Sequence, residues 1–262
     1  MKAYEIIEGL CTLANDFDHT HSVDRFYFGD PEAQTDKVAV TMFATPDVIR
    51  QAKEWGAQLV IVHEPLWYNH EGKESGEKQE CEKRRLIEES GMTFYRFHDH
   101  PHYTTPDIIA AGELKALNLK GTLEHTDEFD LVRLTLDTPM TALELAKHIE
   151  KTLGIRRVAI CGERDKKSTK ISCMFGAPGT QIHEIARDEC EILLTGEAWE
   201  WRLGEYAREA AQLGHNKAVI MMGHIGSERD GMKYTAEILK EKLPELDVRY
   251  FECGEVCTYT DD

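Results

Sequence analysis

Lys37-Val38-Ala39-Val40-Thr41-Met42, Thr45-Pro46-Asp47 and Leu59-Val60-Ile61-Val62-His63-Glu64-Pro65 decide the reading of this 262-residue chain. The first run is apolar and β-branched over strand length and predicts a strand. Thr45 then offers an N-cap and Pro46 stands at the first helical position, so a helix is expected to about Gly56. Leu59–Val62 is a second apolar strand. Strand, helix, strand in that order builds a parallel sheet, the grammar of an α/β fold.

The same grammar extends in both directions. Upstream, Ile6, Ile7, Leu10 and Leu13 share one face of a helix over Tyr4–Leu13. Downstream, residues 69–80 are polar and glycine-punctuated and predict a surface loop. A helix over 83–90 and a strand over Thr93–Phe97 follow. Thr105-Pro106-Asp107 opens another helix, with Asp107 as an acid at its N-terminus rather than a ligand. The pattern resets over Lys120–Asp130. Beyond it, strands are expected over 131–136, 158–161, 170–175, 192–194, 218–222 and 248–251. Helices are expected over 181–188, 201–213 and 231–243, and the capping box Thr141-Ala142-Leu143-Glu144 opens one that runs to about Gly154. Two α/β lobes of similar strand–helix grammar fit this order. Residues 1–124 with 215–262 form the first lobe, carrying most of the candidate ligands, and 125–214 form the second.

Composition narrows the function classes. A chain with 41% hydrophobic and 30% charged residues is globular. A net charge of -17 repels phosphate backbones, so nucleic acid is not an expected partner. Lys83-Arg84-Arg85, the longest basic run, reads as a solvated helix face. No apolar stretch approaches membrane-spanning length, and Met1–Glu8 lacks a basic flank followed by a long apolar run. The expectation is therefore a cytoplasmic protein without a membrane partner. Seven scattered cysteines without C-x-x-C spacing predict reduced thiols, Cys253 and Cys257 included.

Three of the expected strands run into histidine. Leu59–Val62 ends at His63-Glu64-Pro65, Thr93–Phe97 at His98-Asp99-His100-Pro101-His102, and Ala218–Met222 at Gly223-His224-Ile225-Gly226-Ser227-Glu228. In open parallel sheets the carboxyl ends of the strands face the ligand crevice, so these residues can converge there. Any one of the histidines alone reads as structural. Together with carboxylates they form a donor set suited to divalent Zn, Fe, Mn, Co or Ni, and large enough for two ions. His63 and Glu64 can serve one crevice only if the strand ends there, and Pro65 ends it. His98, His100 and His102 share a face if their segment stays extended, which Pro101 opposes. Glu228, four residues beyond His224, is either a ligand or a partner of a helix dipole.

Other features leave alternatives open. Glu197 in Thr195-Gly196-Glu197 is a further carboxylate at a strand end or a helix-entry acid. Gly176-Ala177-Pro178-Gly179 reads as a simple turn in preference to a phosphate cradle. Trp199 and Trp201 flank Glu200 and read as a surface or subunit contact. No G-x-S-x-G elbow and no H-E-x-x-H pair is present.

At these residues the chain resembles the NIF-three-like family, also called the GTP cyclohydrolase 1 type 2 or dinuclear-metal-centre hexameric family. Ile61-Val62-His63-Glu64-Pro65-Leu66 resembles its strand ending in His-His-Pro. Leu194-Thr195-Gly196-Glu197 is similar to its Thr-Gly-Glu segment, and Gly223-His224-Ile225-Gly226-Ser227-Glu228-Arg229 to its Gly-His-(Tyr/His)-x-(Ser/Thr)-Glu signature. The resemblance implies a two-lobed α/β subunit, a dinuclear metal site in the crevice between the lobes, and a ring-like homohexamer. Family ligands carry over to His63, His224 and Glu228. Two positions depart from the pattern. Glu64 stands where a second histidine is usual, and His102 where the family has a bridging aspartate. An imidazole cannot bridge two ions closely, so either Asp99 takes that role or the metals are held differently.

The function expected from these residues is a metal-dependent, hydrolase-like protein, and the resemblance implies a small nucleotide-like substrate. His63, Glu64, His100, His102, His224 and Glu228 hold the metals that activate water, and His98 or Asp99 moves the proton. The alternative is a non-catalytic metal-binding regulator or scaffold that forms a ring-shaped oligomer.

Overall fold

A computed structural model of the chain describes residues 1–126 and 131–260, so the resetting stretch Lys120–Asp130 ends on residues outside those described. In chain order the strands are β1 (Arg25–Phe28), β2 (Lys37–Thr41), β3 (Leu59–Val62), β4 (Thr93–Arg96), β5 (Gly121–His125) and β6 (Val132–Thr141). They continue with β7 (Ala159–Gly162), β8 (Lys167–Met174), β9 (Ile192–Thr195), β10 (Ala218–Met221) and β11 (Asp247–Tyr250). The α/β expectation holds. The chain divides into two compact units, Met1–Ile109 with Gly231–Asp262, and Ala110–Asp230.

The first unit carries a five-stranded sheet in the order β1-β4-β3-β2-β11. β11, β2, β3 and β4 are parallel, and β1 adds an antiparallel edge. The helix Pro46–Trp55 forms as the sequence predicts. The Thr45 hydroxyl accepts the Val48 N–H, Pro46 starts the first turn, and Gly56 closes the last with φ 86°. Both faces of the sheet are covered. Val38, Val40, Leu59 and Ile61 pack on Ile6, Leu10, Met232 and Leu239, while Ala39, Val60, Val62 and Phe94 pack on Val48, Ile49 and Ile87. Burial on both faces is why β3 is apolar at every position.

The second unit carries a six-stranded sheet in the order β5-β6-β8-β9-β10-β7. β8, β9 and β10 are parallel, so their carboxyl ends lie along one edge. The Thr141–Glu144 capping box is reciprocal, with bonds of 2.9 and 3.0 Å. The units divide at 109/110 and 230/231 rather than at 124/125 and 214/215. The reason is strand pairing: β5 is zipped to β6, and β10 lies between β9 and β7. His224 and Glu228 therefore fall in the second unit. The edge strands β1 and β5 are additions to the sequence reading. The cysteines are free thiols, and among the described residues no helix is long and apolar enough to cross a membrane.

Candidate metal-binding site

His63 and Glu64 follow directly on β3. Their amides still pair with the β2 side, His63 N–H to Thr41 O at 3.2 Å and Glu64 N–H to Met42 O at 3.0 Å, until Pro65 ends the run. The His63 ring is fully buried, and its Nδ1 lies 3.0 Å from the Phe97 carbonyl. A carbonyl can only accept, so Nδ1 carries the proton and Nε2 keeps its lone pair. Glu64 is buried too, with Arg96 Nη2 3.9 Å from its carboxylate.

The segment after β4 is not extended. Asp99–His102 forms a helical turn with His98 at its head. Helical spacing brings residues four apart onto one side and turns the residue midway between them to the other. His98 and His102 accordingly meet His63: the three offer ring nitrogens all within 4.8 Å of one another, with ring centroids 4.7 Å apart for His63–His98 and 5.4 Å for His63–His102. His63 and Glu64 also bring donor atoms within that distance of each other. His100 points elsewhere, its Nδ1 2.6 Å from Asp24 Oδ2. Pro101 is compatible with the turn because proline is tolerated in the first turn of a helix.

Each of the three converging imidazoles is held from behind. His63 leans on the Phe97 carbonyl, His98 Nδ1 donates to Asp99 Oδ1 at 2.8 Å, and His102 Nδ1 to Asp107 Oδ2 at 2.9 Å. Oxygen acceptors on Nδ1 fix the tautomer that leaves Nε2 to coordinate, the outer-shell pattern of metal-binding histidines. Burial pushes the His98 imidazole down in pKa and outweighs the upward pull of Asp99, which keeps it neutral as a ligand must be. Burial opposes ionisation of Asp99, but the His98 hydrogen bond and the Val23 N–H at 2.8 Å hold its carboxyl well below the usual carboxylate range. Asp99 is thus engaged on both oxygens.

Asp24 is the residue the sequence reading missed. Its carboxylate accepts the backbone N–H groups of His98 (2.7 Å), Asp99 (2.9 Å) and His100 (3.0 Å) as well as the His100 ring. Burial disfavours its charge, yet these bonds hold its pKa low. Burial likewise opposes protonation of His100, and the Asp24 bond overrides it, raising the imidazole to about 10. Asp107, read as a helix-entry acid, orients His102, while Thr104 Oγ1 accepts the Ile108 N–H at that helix start. His70 was also not anticipated, and its ring centroid lies 5.4 Å from that of His98.

In the second unit the segments after β9 and β10 carry their own donor set. His224 Nδ1 lies 3.0 Å from Glu197 Oε1, and His224 Nε2 3.0 Å from Glu228 Oε2. Glu197, left open by the sequence, is therefore a partner of His224. The Gly176–Gly179 segment is a turn whose first residue has φ 66°, and a Cβ on Gly176 would stand 2.4 Å from Glu228 Oε1. Gly196 is as closely confined, its virtual Cβ falling 2.3 Å from both Gly176 O and Ser227 Oγ. Trp199 and Trp201 stack on each other at the surface, centroids 5.9 Å apart.

Imidazoles gathered beside a carboxylate after parallel strands of an α/β protein form a donor set that could hold a divalent metal ion. The DUF34/NIF3 (NGG1p interacting factor 3) family model matches residues 2–255, and the chain belongs to that family. A GTP cyclohydrolase 1 type 2 homolog of Clostridium perfringens is 24% identical over 240 residues, covering 87% of this chain and 86% of that protein. Among solved structures, protein ybgI of unknown function superposes with a TM-score of 0.79 at 22% identity, covering 98% of this chain and 100% of that one. A Bacillus cereus protein related to NIF3 also gives 0.79, at 13% identity and with 99% and 98% covered. These structural likenesses establish the fold.

Proposed function

We propose that this protein is a metal-dependent hydrolase-like enzyme with a dinuclear centre. The observation that carries the reading is the trio His63, His98 and His102, whose ring nitrogens converge and whose Nδ1 atoms each meet an oxygen acceptor, the tautomer in which Nε2 can coordinate. The donor chemistry fits a borderline divalent ion such as Zn, Fe, Mn, Co or Ni, with Glu64 favouring the harder members. The second donor set, His224 with Glu228 and Glu197, and the family resemblance together support a second ion. Bound ions supply Lewis acidity that turns water into a nucleophile near neutral pH.

The chain's own residues then have distinct tasks. His63, His98, His102 and Glu64 hold and orient. Asp99, Asp107 and the Phe97 carbonyl keep each imidazole in its coordinating tautomer. His98, read from the sequence as a proton carrier, stands with the ligands in this proposal, and His100 belongs with Asp24 behind them. The name borne by the relatives, GTP cyclohydrolase 1 type 2 homolog, supports a nucleotide-like substrate, and the family resemblance supports a homohexamer.

Elemental analysis of protein stripped by chelation and reloaded tests the reading directly. The expected ratio is about two ions per chain, and less than about half an ion would sink it. E228Q separates enzyme from scaffold, because an enzyme loses turnover while its assembly, read by light scattering, persists.

A further inference from the structure

A cavity of about 320 Å³ opens in the first unit beside Glu64, beyond the carboxyl end of β3. Phe43, Leu66 and Trp67 give it apolar walls, and Glu64, His70 and Lys83 line it as polar groups. Lys83 reaches it from the helix Lys78–Ser90, a different element from the loop that forms the walls. Its ammonium has three N–H groups. One bonds to the Leu66 carbonyl at 2.8 Å, and Trp67 presents its ring 5.9 Å from the nitrogen. Among the described residues no carboxylate pairs with it. Glu80, whose charge acts on it, spends one carboxylate oxygen on Ser75 and on the Gly76 N–H. Glu64 in the same cavity already faces the Arg96 guanidinium.

Lys83 is half-buried, and a partly desolvated ammonium with no carboxylate of the described residues against it makes its cavity a ready place for an anion. Burial pulls Lys83 down to about 8, the mark of a charge its own surroundings do not balance. The walls set the rest of the ligand. Trp67 and Phe43 suit a ring or branched hydrocarbon group, and the volume, at the lower end for ligand pockets, suits a single such group.

We propose that this cavity binds a small organic anion, an aromatic group bearing a carboxylate or a phosphate, with Lys83 as its counter-charge and Trp67 and Phe43 as its apolar seat. His70, on the cavity wall and 5.4 Å from the His98 ring, connects it with the histidine cluster. As the substrate class of the metal centre, the assignment rests on the metal reading. As an anion site, it stands without it.

Titration calorimetry on the full chain tests it with benzoate, phenyl phosphate and neutral benzyl alcohol, each against metal-stripped and zinc-loaded protein. Wild-type protein is expected to prefer at least one anion over the alcohol by about tenfold or more. K83M removes that preference, K83R restores it, and alcohol binding holds in both. K83Q reads the same should K83M fail to fold. A lysine that merely tied the loop to the helix would shift anion and alcohol alike. The two anions distinguish a carboxylate ligand from a phosphate one. No anion preference in wild-type protein, or an unchanged preference in K83M and K83Q, overturns the proposal. Persistent Lys83-dependent binding in protein that retains no zinc counts against the metal centre alone.

Discussion

Asp24 Oδ2 and His100 Nδ1 lie 2.6 Å apart, and the carboxylate that makes this bond also caps the backbone of the turn that aims His98 and His102. One buried acid from the segment before β1 thus sets the geometry of a histidine cluster that follows β4. D24A leaves three N–H groups and an imidazolium without their acceptor. Denaturant unfolding is expected to show a loss of about 3 kcal/mol. Competition with a chelator is expected to show zinc affinity lower by about 10- to 100-fold. An unchanged zinc affinity in folded D24A would mean that the turn holds its shape without Asp24.

The helical turn makes neighbouring histidines unequal. His98→Ala removes a donor and is expected to weaken zinc binding by about 100-fold or more, beyond the effect of losing an orienting partner. His100→Ala is expected to change it only a few-fold and to lower stability instead. Equal losses of zinc in the two variants would restore the extended arrangement in which His100 also ligates.

Glycine is required where two loops of the second unit touch. A side chain on Gly196 must displace the Gly176 carbonyl or the Ser227 hydroxyl, both 2.3 Å from its first carbon. Gly196→Ala is expected to cost about 2 kcal/mol. Because Gly176 abuts Glu228, the same variant should disturb the His224–Glu228 pair. Unfolding curves check the first effect and the pH titration of His224 by NMR the second.

Away from the site, Arg133 grips Glu184 through two bonds of 2.9 Å, and Ser172 Oγ donates to the same carboxylate at 2.6 Å. Burial raises the Glu184 carboxyl, but Arg133 and Ser172 hold it below its ordinary value of 4.5. A carboxylate depressed in the folded state adds stability above its unfolded pKa and loses it as pH falls through the folded one. E184Q is therefore expected to cost about 3 kcal/mol at pH 7. The gap from wild type should narrow below about pH 4.5. A gap independent of pH would show that the bonds, not the charge, matter.

Much of this site is written locally. His63, Glu64 and His224 stand where apolar strands stop, and strand ends in a parallel sheet are where ligand crevices form, so short-range pattern suffices to nominate them. The His98–His102 turn is harder. Alternation puts all three histidines on one face, whereas helical spacing joins His98 with His102 and turns His100 away, and Pro101 is consistent with the first turn of a helix as well as with a broken strand. Asp24 and His70 were out of reach for another reason. Asp24 lies beside the short, half-exposed β1 and His70 in a polar loop, and neither neighbourhood has periodicity. Their partners come from tertiary contact alone. The sheet to which β10 belongs is not legible locally, because β10 has the same apolar texture as the strands of the first sheet, and only its pairing with β9 and β7 assigns it.

The pairing of β2 with β11, Val38 opposite Val248, has a bearing on synthesis. Residues 110–230 are contiguous and can close their sheet as soon as they leave the ribosome. The first unit cannot. Until residues 247–250 emerge, one edge of β2 is a bare row of amides and carbonyls next to an apolar surface, a template for any extended chain nearby. Nascent chains stalled between about residue 230 and residue 246 should therefore need the most help from chaperones.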